Sequence, residues 1–312
     1  MSAAETGART SGAPLFEASV FVDGIVGPVR LSHPECVAFD ADGNAWCGGE
    51  RGEIYRVAAD GSAIEQVAST GGFVLGVALD GRGFLYACDL AERAVFRVDV
   101  ASGAVERFAD GGGAMATPNF AVVDERRGCL YVSDSREAGV AGPSIWRVAL
   151  AGGACEPWHP GGLTFANGLA LSADGDSLYV AETWARQVVR IAIGRDGAPV
   201  GEPEVVVETS GALPDGLALD AAGRLYIACY EPSRVYRFDP AGGAGGASGA
   251  AGAGGASGAG LELLLDDPTA HTLCHPTNCA FRGSELFIAN LGRWHLARAE
   301  VGAEGLPLPG QR

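Results

Sequence analysis

The stretch PDGLALDAAGRLYIACYEPSRVYRF (214–238) decides the fold. A short apolar segment, GLAL, runs into the D-x-x-G turn of DAAG. The alternating segment LYIAC follows, then a polar loop, then VYRF. β-Branched and aromatic residues between Gly, Asp and Pro signals mark short antiparallel strands. The same pattern recurs at PECVAFDADGNAWCGGERGEIYRV (34–57), VLGVALDGRGFLYACDLAERAVFRV (74–98), PNFAVVDERRGCLYVSDSREAGVAGPSIWRV (118–148), ANGLALSADGDSLYVAETWARQVVRI (166–191) and PTNCAFRGSELFIANLGRWHLARA (276–299). A weaker fourth strand closes most copies, as in IEQVA, AVERFA, EVVVE and LELLL.

Equivalent first-strand positions fall at 35, 75, 119, 167, 215 and 277, mostly 40 to 48 residues apart. Four short strands at that period predict an all-β fold, a six-bladed β-propeller spanning 15–302. The sixth copy lacks a good fourth strand. The N-terminal run LFEASVFVDG (15–24) is expected to supply it and close the ring, since an unpaired edge invites aggregation. The Ala/Gly/Ser run 241–260 has too little apolar bulk to build a core. It reads as a flexible loop insertion in the fifth blade, on the face opposite the site. Residues 1–14 read as a disordered N-terminus and 303–312 as a C-terminal tail.

Composition narrows the function classes. Among 312 residues the net charge is −16, and all 22 basic residues are arginine. That balance argues against nucleic acid or anionic membrane as a partner. Without lysine, Schiff-base chemistry is excluded. No apolar run reaches the roughly 18 to 20 residues of a membrane helix, and the first residues lack the pattern of a secretory signal. The eight cysteines form no C-x-x-C pair and sit mostly in strand-like runs, so they read as reduced, buried thiols. A cytoplasmic protein is expected, its oligomeric state open. No G-x-S-x-G elbow or nucleotide-binding glycine loop is present.

In a propeller the first strand of each blade lines the central channel. Six strand starts therefore meet around one axis: Glu35, Leu75, Asn119, Asn167, Asp215 and Thr277. Asn-Gly at 167–168 and Asp-Gly at 215–216 would singly read as turns. Two carboxylates and two amides in register around an axis instead suit a hard divalent cation. Calcium fits such oxygens best; zinc, manganese and magnesium remain open.

The stretches HPECVAF, FANGLALSADGDSLYVAET, LPDGLALDAAGRLYIACY and HPTNCAF resemble the SMP-30/gluconolactonase/LRE-like family, which includes regucalcin. The resemblance covers about 33–300. It implies that Glu35, Asn167 and Asp215 are metal ligands, that Asn119 touches metal or substrate, and that Asp215 is the general base. It implies a metal-dependent hydrolase that opens a lactone or related ester, a small-molecule substrate. Sugar-lactone members carry Arg and Asp where this chain has Thr117 and Phe120, so a more apolar pocket is expected. FANGLALSADGDSLYVAETWARQVVRI is also similar to strictosidine synthase-like propellers, which need no metal. A non-catalytic binding propeller is the third reading.

The loops between second and third strands should border the same cavity. Trp184 and Tyr230 are candidate substrate walls, and His275, before an inner strand, is a candidate substrate contact. Those loops also bring Glu50, Asp89, Asp134, Glu182, Asn290 and His295 into consideration.

Overall fold

A computed structural model of the chain describes residues 16–137, 139–209, 211–241 and 260–312. Six four-stranded antiparallel sheets are arranged as the blades of a propeller. The inner strands are Ala38–Phe39, Val74–Leu79, Pro118–Asp124, Ala166–Leu171, Pro214–Leu219 and Pro276–Arg282. In the first five blades each following strand pairs with the one before it. In the sixth, Ser19–Asp23 pairs with His295–Glu300 and becomes the outermost strand. The N-terminal strand thus closes the ring. The flexible-loop and disordered-terminus readings concern segments that lie, apart from Ala241 and Gly260, outside the described residues.

The near-continuous apolar character of the second strands follows from burial on both faces. Successive side chains of a strand point to opposite sides. In Phe84–Asp89, Leu85 and Ala87 pack toward Trp46 of the preceding blade. Tyr86 and Cys88 pack toward Leu130 and Val132 of the next. One large aromatic therefore recurs at the same register of each blade: Trp46, Tyr86, Tyr131, Tyr179, Tyr226 and Phe287, all buried.

The D-x-x-G turns hold these aromatics from the far end of the blade. Asp220 accepts hydrogen bonds from the backbone N–H groups of Ala222 (3.0 Å) and Arg224 (2.9 Å), and from the Tyr226 hydroxyl at 3.2 Å. Asp40 does the same for its turn and for the Trp46 indole N–H, at 2.9 Å. The recurring Asp-to-aromatic spacing is thus one device that fixes both turn and core.

Near that far end the C-terminal segment packs across the channel. Leu306 donates its N–H to the Leu219 carbonyl at 2.9 Å, and the Gln311 side chain donates to the Phe281 carbonyl at 2.6 Å. Leu306, Leu308 and Pro309 cover a small apolar cavity of about 90 Å³ among the inner strands.

Candidate active site

The six strand starts converge at the other end. Pairing between inner and second strands slips where the axial residue stands: between Val74 and Val77, Pro118 and Ala121, Ala166 and Leu169, Pro214 and Leu217, and Pro276 and Asn278. Such an irregularity releases a residue from the ladder and re-aims its side chain. Glu35, Leu75, Asn119, Asn167, Asp215 and Thr277 all line one cavity of about 320 Å³.

The Asn-Gly and Asp-Gly pairs are not turns. Gly168 and Gly216 lie inside strands and have no left-handed φ. A Cβ on Gly168 would strike the Asp215 carbonyl, and one on Gly216 would strike the Asn278 backbone. The glycines allow neighbouring inner strands to approach closely enough to gather their axial side chains.

Two amides are oriented by matching relays. Asn119 donates from Nδ2 to Ser135 Oγ at 3.0 Å, and that hydroxyl donates to the Ala166 carbonyl at 2.6 Å. Asn167 donates to Thr183 Oγ1 at 3.1 Å, and Thr183 donates to the Pro214 carbonyl at 2.8 Å. Each NH₂ group spends one N–H on a hydroxyl, which fixes the plane of the amide at the cavity wall. Sequence reading missed Ser135 and Thr183. Their signal was available: both follow the second strand by one residue, in the two blades whose axial residue is Asn.

The electrostatics of the cavity are set by its two carboxyls. Burial pushes Glu35 up to about 7, while the nearby Thr277 hydroxyl pulls weakly the other way. Asp215 is raised well above the ordinary carboxylate range by burial and then by the charge of Glu35, against the pull of the nearby Asn167 amide. No arginine lies among the described residues lining the cavity. Among the described lining residues the one basic group is His33, with Nε2 at 3.5 Å from Glu35 and Nδ1 at 3.4 Å from Glu50, and burial lowers its own pKa. Buried Thr277 Oγ1 has no protein partner in hydrogen-bond geometry. Two acids with no arginine among the described lining residues, two amides and the Thr277 hydroxyl are a donor set that fits a hard divalent ion. Among the described residues no group of three or more His, Cys, Asp or Glu is placed to hold a metal. An ion here would therefore depend on the amides.

The remaining candidates divide. Trp184 lines the cavity, is 48% exposed, and lies against Phe165 with ring centroids 5.2 Å apart. Tyr230 also lines it. His275 stands behind Tyr230, its ring stacked at 4.8 Å and its Nδ1 3.2 Å from the Tyr230 carbonyl oxygen, and is not part of the wall. The acids ending the second strands are structural. Asp89 accepts from the Phe73 N–H (2.9 Å), Asp134 from the Thr117 N–H (2.7 Å) and Glu182 from the Thr164 N–H (2.7 Å). Asn290 likewise accepts from the Cys274 N–H at 2.9 Å. Each ties down the segment leading into an inner strand. His295 is buried, with Nε2 2.8 Å from the Thr272 carbonyl.

Fold and cavity together define a six-bladed propeller with an acid–amide pocket on its axis. The family model of the SMP-30/Gluconolactonase/LRE-like region matches residues 34–246, and the chain belongs to that family. It is 37% identical over 83 residues to the protein named lactonase drp35 of Staphylococcus epidermidis, and equally to that of Staphylococcus aureus. Each match spans 26% of this chain and 26% of the relative, about a quarter of its length. Among solved structures, a Xanthomonas campestris gluconolactonase superposes with a TM-score of 0.70 at 22% identity, covering 91% of this chain and 89% of that one. A calcium-binding protein, regucalcin, from Agrobacterium tumefaciens gives 0.71 at 18%, covering 97% and 100%. At these identities the likeness concerns the fold. No helix among the described residues is long and apolar enough to cross a membrane.

Proposed function

We propose that the chain hydrolyses a lactone or related ester, with a divalent cation, calcium by its oxygen donors, held by Glu35, Asn167 and Asp215. The observation that carries this reading is the pair of carboxyls, Glu35 and Asp215, in one cavity with no arginine among the described residues of its wall. Holding two largely desolvated acids in one cavity is costly unless a cation shares the site. Membership of the gluconolactonase-type family and the partial match to lactonases support the reaction class.

A cation bound there supplies Lewis-acid polarisation of the substrate carbonyl and the positive charge that keeps both carboxyls ionised. Asp215 accepts the proton of the attacking water, the role of a general base. Glu35 balances charge, with His33 Nε2 3.5 Å from its carboxylate. Asn119 and Asn167 are held at the cavity by Ser135 and Thr183, which each engage one N–H of the amide, and their oxygens are the proposed donors to the cation. Asn119 is placed for metal or substrate, and Trp184 and Tyr230 bound the space the substrate occupies. His275 acts through Tyr230, as a positioning residue.

The test is hydrolysis of a lactone panel with calcium and after exhaustive chelation. Chelation should abolish turnover and added calcium restore it. Asp215→Ala should lower kcat at least about a hundredfold, the low end for losing a general base. Turnover that survives both treatments rejects the reading.

A further inference from the structure

The axial ring is not uniform. In blades three and four the axial residue and the residue after the second strand are both polar: Asn119 with Ser135, and Asn167 with Thr183. In blade two the same two positions are Leu75 and Leu90. Both line the cavity, as does Phe73, whose carbonyl accepts the Leu90 N–H at 2.8 Å. Gly76 extends this sector toward blade three. A Cβ there would meet Phe120 Cδ2 at 2.9 Å, so the absence of a side chain lets Phe120, another lining residue, lean against blade two. In a six-bladed ring blade two lies opposite blade five, which carries Asp215. Blade two therefore contributes an apolar sector to the cavity, between Glu35 of blade one and Asn119 of blade three. A polyhydroxylated substrate would bury hydroxyls against Leu75, Leu90 and Phe120 without partners, which binding sites penalise.

From this asymmetry, and resting on the lactonase reading above, we infer that the non-reacting part of the substrate is an apolar alkyl or aryl arm. It lodges against Phe73, Leu75, Leu90 and Phe120 while the carbonyl faces blade five.

Binding and turnover test this separately on the full-length, calcium-loaded protein. Calorimetric titrations would use three non-hydrolysable six-membered lactams: 2-piperidinone, 6-pentyl-2-piperidinone and the polyhydroxylated gluconolactam. A buried CH₂ group strengthens binding up to about fourfold, so the pentyl lactam should bind at least about tenfold tighter than 2-piperidinone, even with part of the chain in water. Gluconolactam should bind more weakly than the pentyl compound. Leu75→Asn should erase most of the pentyl advantage; Leu90→Ser is the second variant should the first fail to fold. Absence of a pentyl preference, tighter binding of gluconolactam, or an unchanged preference in both variants overturns the inference. The corresponding lactones separate this from the parent reading. If none turns over while the lactam preference holds, the hydrolase reading fails and the apolar sector stands. If gluconolactone is turned over best, the hydrolase reading stands and the apolar sector is overturned.

Discussion

Thr183 shows how one hydroxyl connects sequence to chemistry. It accepts from the Asn167 amide and donates to the Pro214 carbonyl, the residue before Asp215, so it positions groups of two blades at once. Asn167 is a proposed ligand of the cation, and removing an outer partner of a metal ligand typically weakens metal affinity about 10- to 100-fold. Thr183→Val, close in shape but without the hydroxyl, should therefore lower calcium affinity about tenfold or more in calorimetry, and Thr183→Ser should recover most of it. The carboxyls make a second prediction at this scale. Glu35 has an ordinary value of 4.5 and is pushed up to about 7 in the fold. In metal-free protein the unfolded chain ionises this group first, so stability falls as pH rises from about 4.5 through about 7, then levels off. With chelator present, Glu35→Gln should thus melt above the unmodified protein at pH 8, with the gap closing near pH 5. Calcium must displace these protons, so its affinity should rise between pH 6 and 8, with proton release visible as a dependence of the heat on buffer ionisation. A pH-independent affinity would contradict both the burial and the role of these acids.

At the scale of the strand, Gly216 decides whether an axial residue reaches the axis. A Cβ there would meet the Asn278 side-chain nitrogen at 2.5 Å and the Thr277 carbonyl at 2.8 Å. Overpacking of this kind costs typically about 1–3 kcal/mol. Gly216→Ala should lower Tm by several degrees and weaken calcium binding as well, because the obstacle separates blades five and six beside Asp215. Gly223→Ala is the comparison: its φ is +82° but nothing lies within 4 Å, so its effect on calcium should be far smaller. These glycines also mark what the sequence reveals. Repeated LYV-type strands and Asp-containing turns made the blades legible, because each rests on local chemistry. Asn167-Gly168 and Asp215-Gly216 would each read singly as turns, and only their shared register assigned them to the axis, because the requirement the glycines meet comes from a strand of another blade. The axial positions could be found by counting repeats. The positions of Ser135 and Thr183 follow from the same counting, but their action as relays does not, since each ends on a carbonyl 31 residues further along the chain. The acids at 89, 134 and 182 misled for the opposite reason: a carboxylate at a strand end near the pocket looks chemical until its backbone partners are seen.

For the molecule as a whole, ring closure determines whether the axial groups stay together, because Glu35 and Thr277 come from blades that meet across the chain's first and last strands. The closing strand joins through apolar contact as much as through its ladder. Val22 is buried in the cluster that holds Phe39, Phe287 and Leu296, and Phe21 meets Phe287 edge-on at 5.0 Å. Arg282 lies over Phe287 at 4.5 Å and donates to the Ala59 carbonyl of blade one at 2.7 Å, tying blade six to its neighbour. Val22→Asp would place an unpaired charge in this seam, at a cost of several kcal/mol. In a domain of this size each kcal/mol shifts Tm by about 2–4 °C, so a fall of roughly 5–10 °C is expected. Because the seam and the axial cavity share blades one and six, calcium bound as proposed should raise the Tm of the variant by less than it raises that of the parent. A scan with and without the ion measures both effects. A closing strand of no consequence would leave Tm unchanged. A seam independent of the site would give the same calcium-induced increment in variant and parent, whereas a shared structure predicts a smaller increment in the variant, whose calcium site is less well formed before the ion binds.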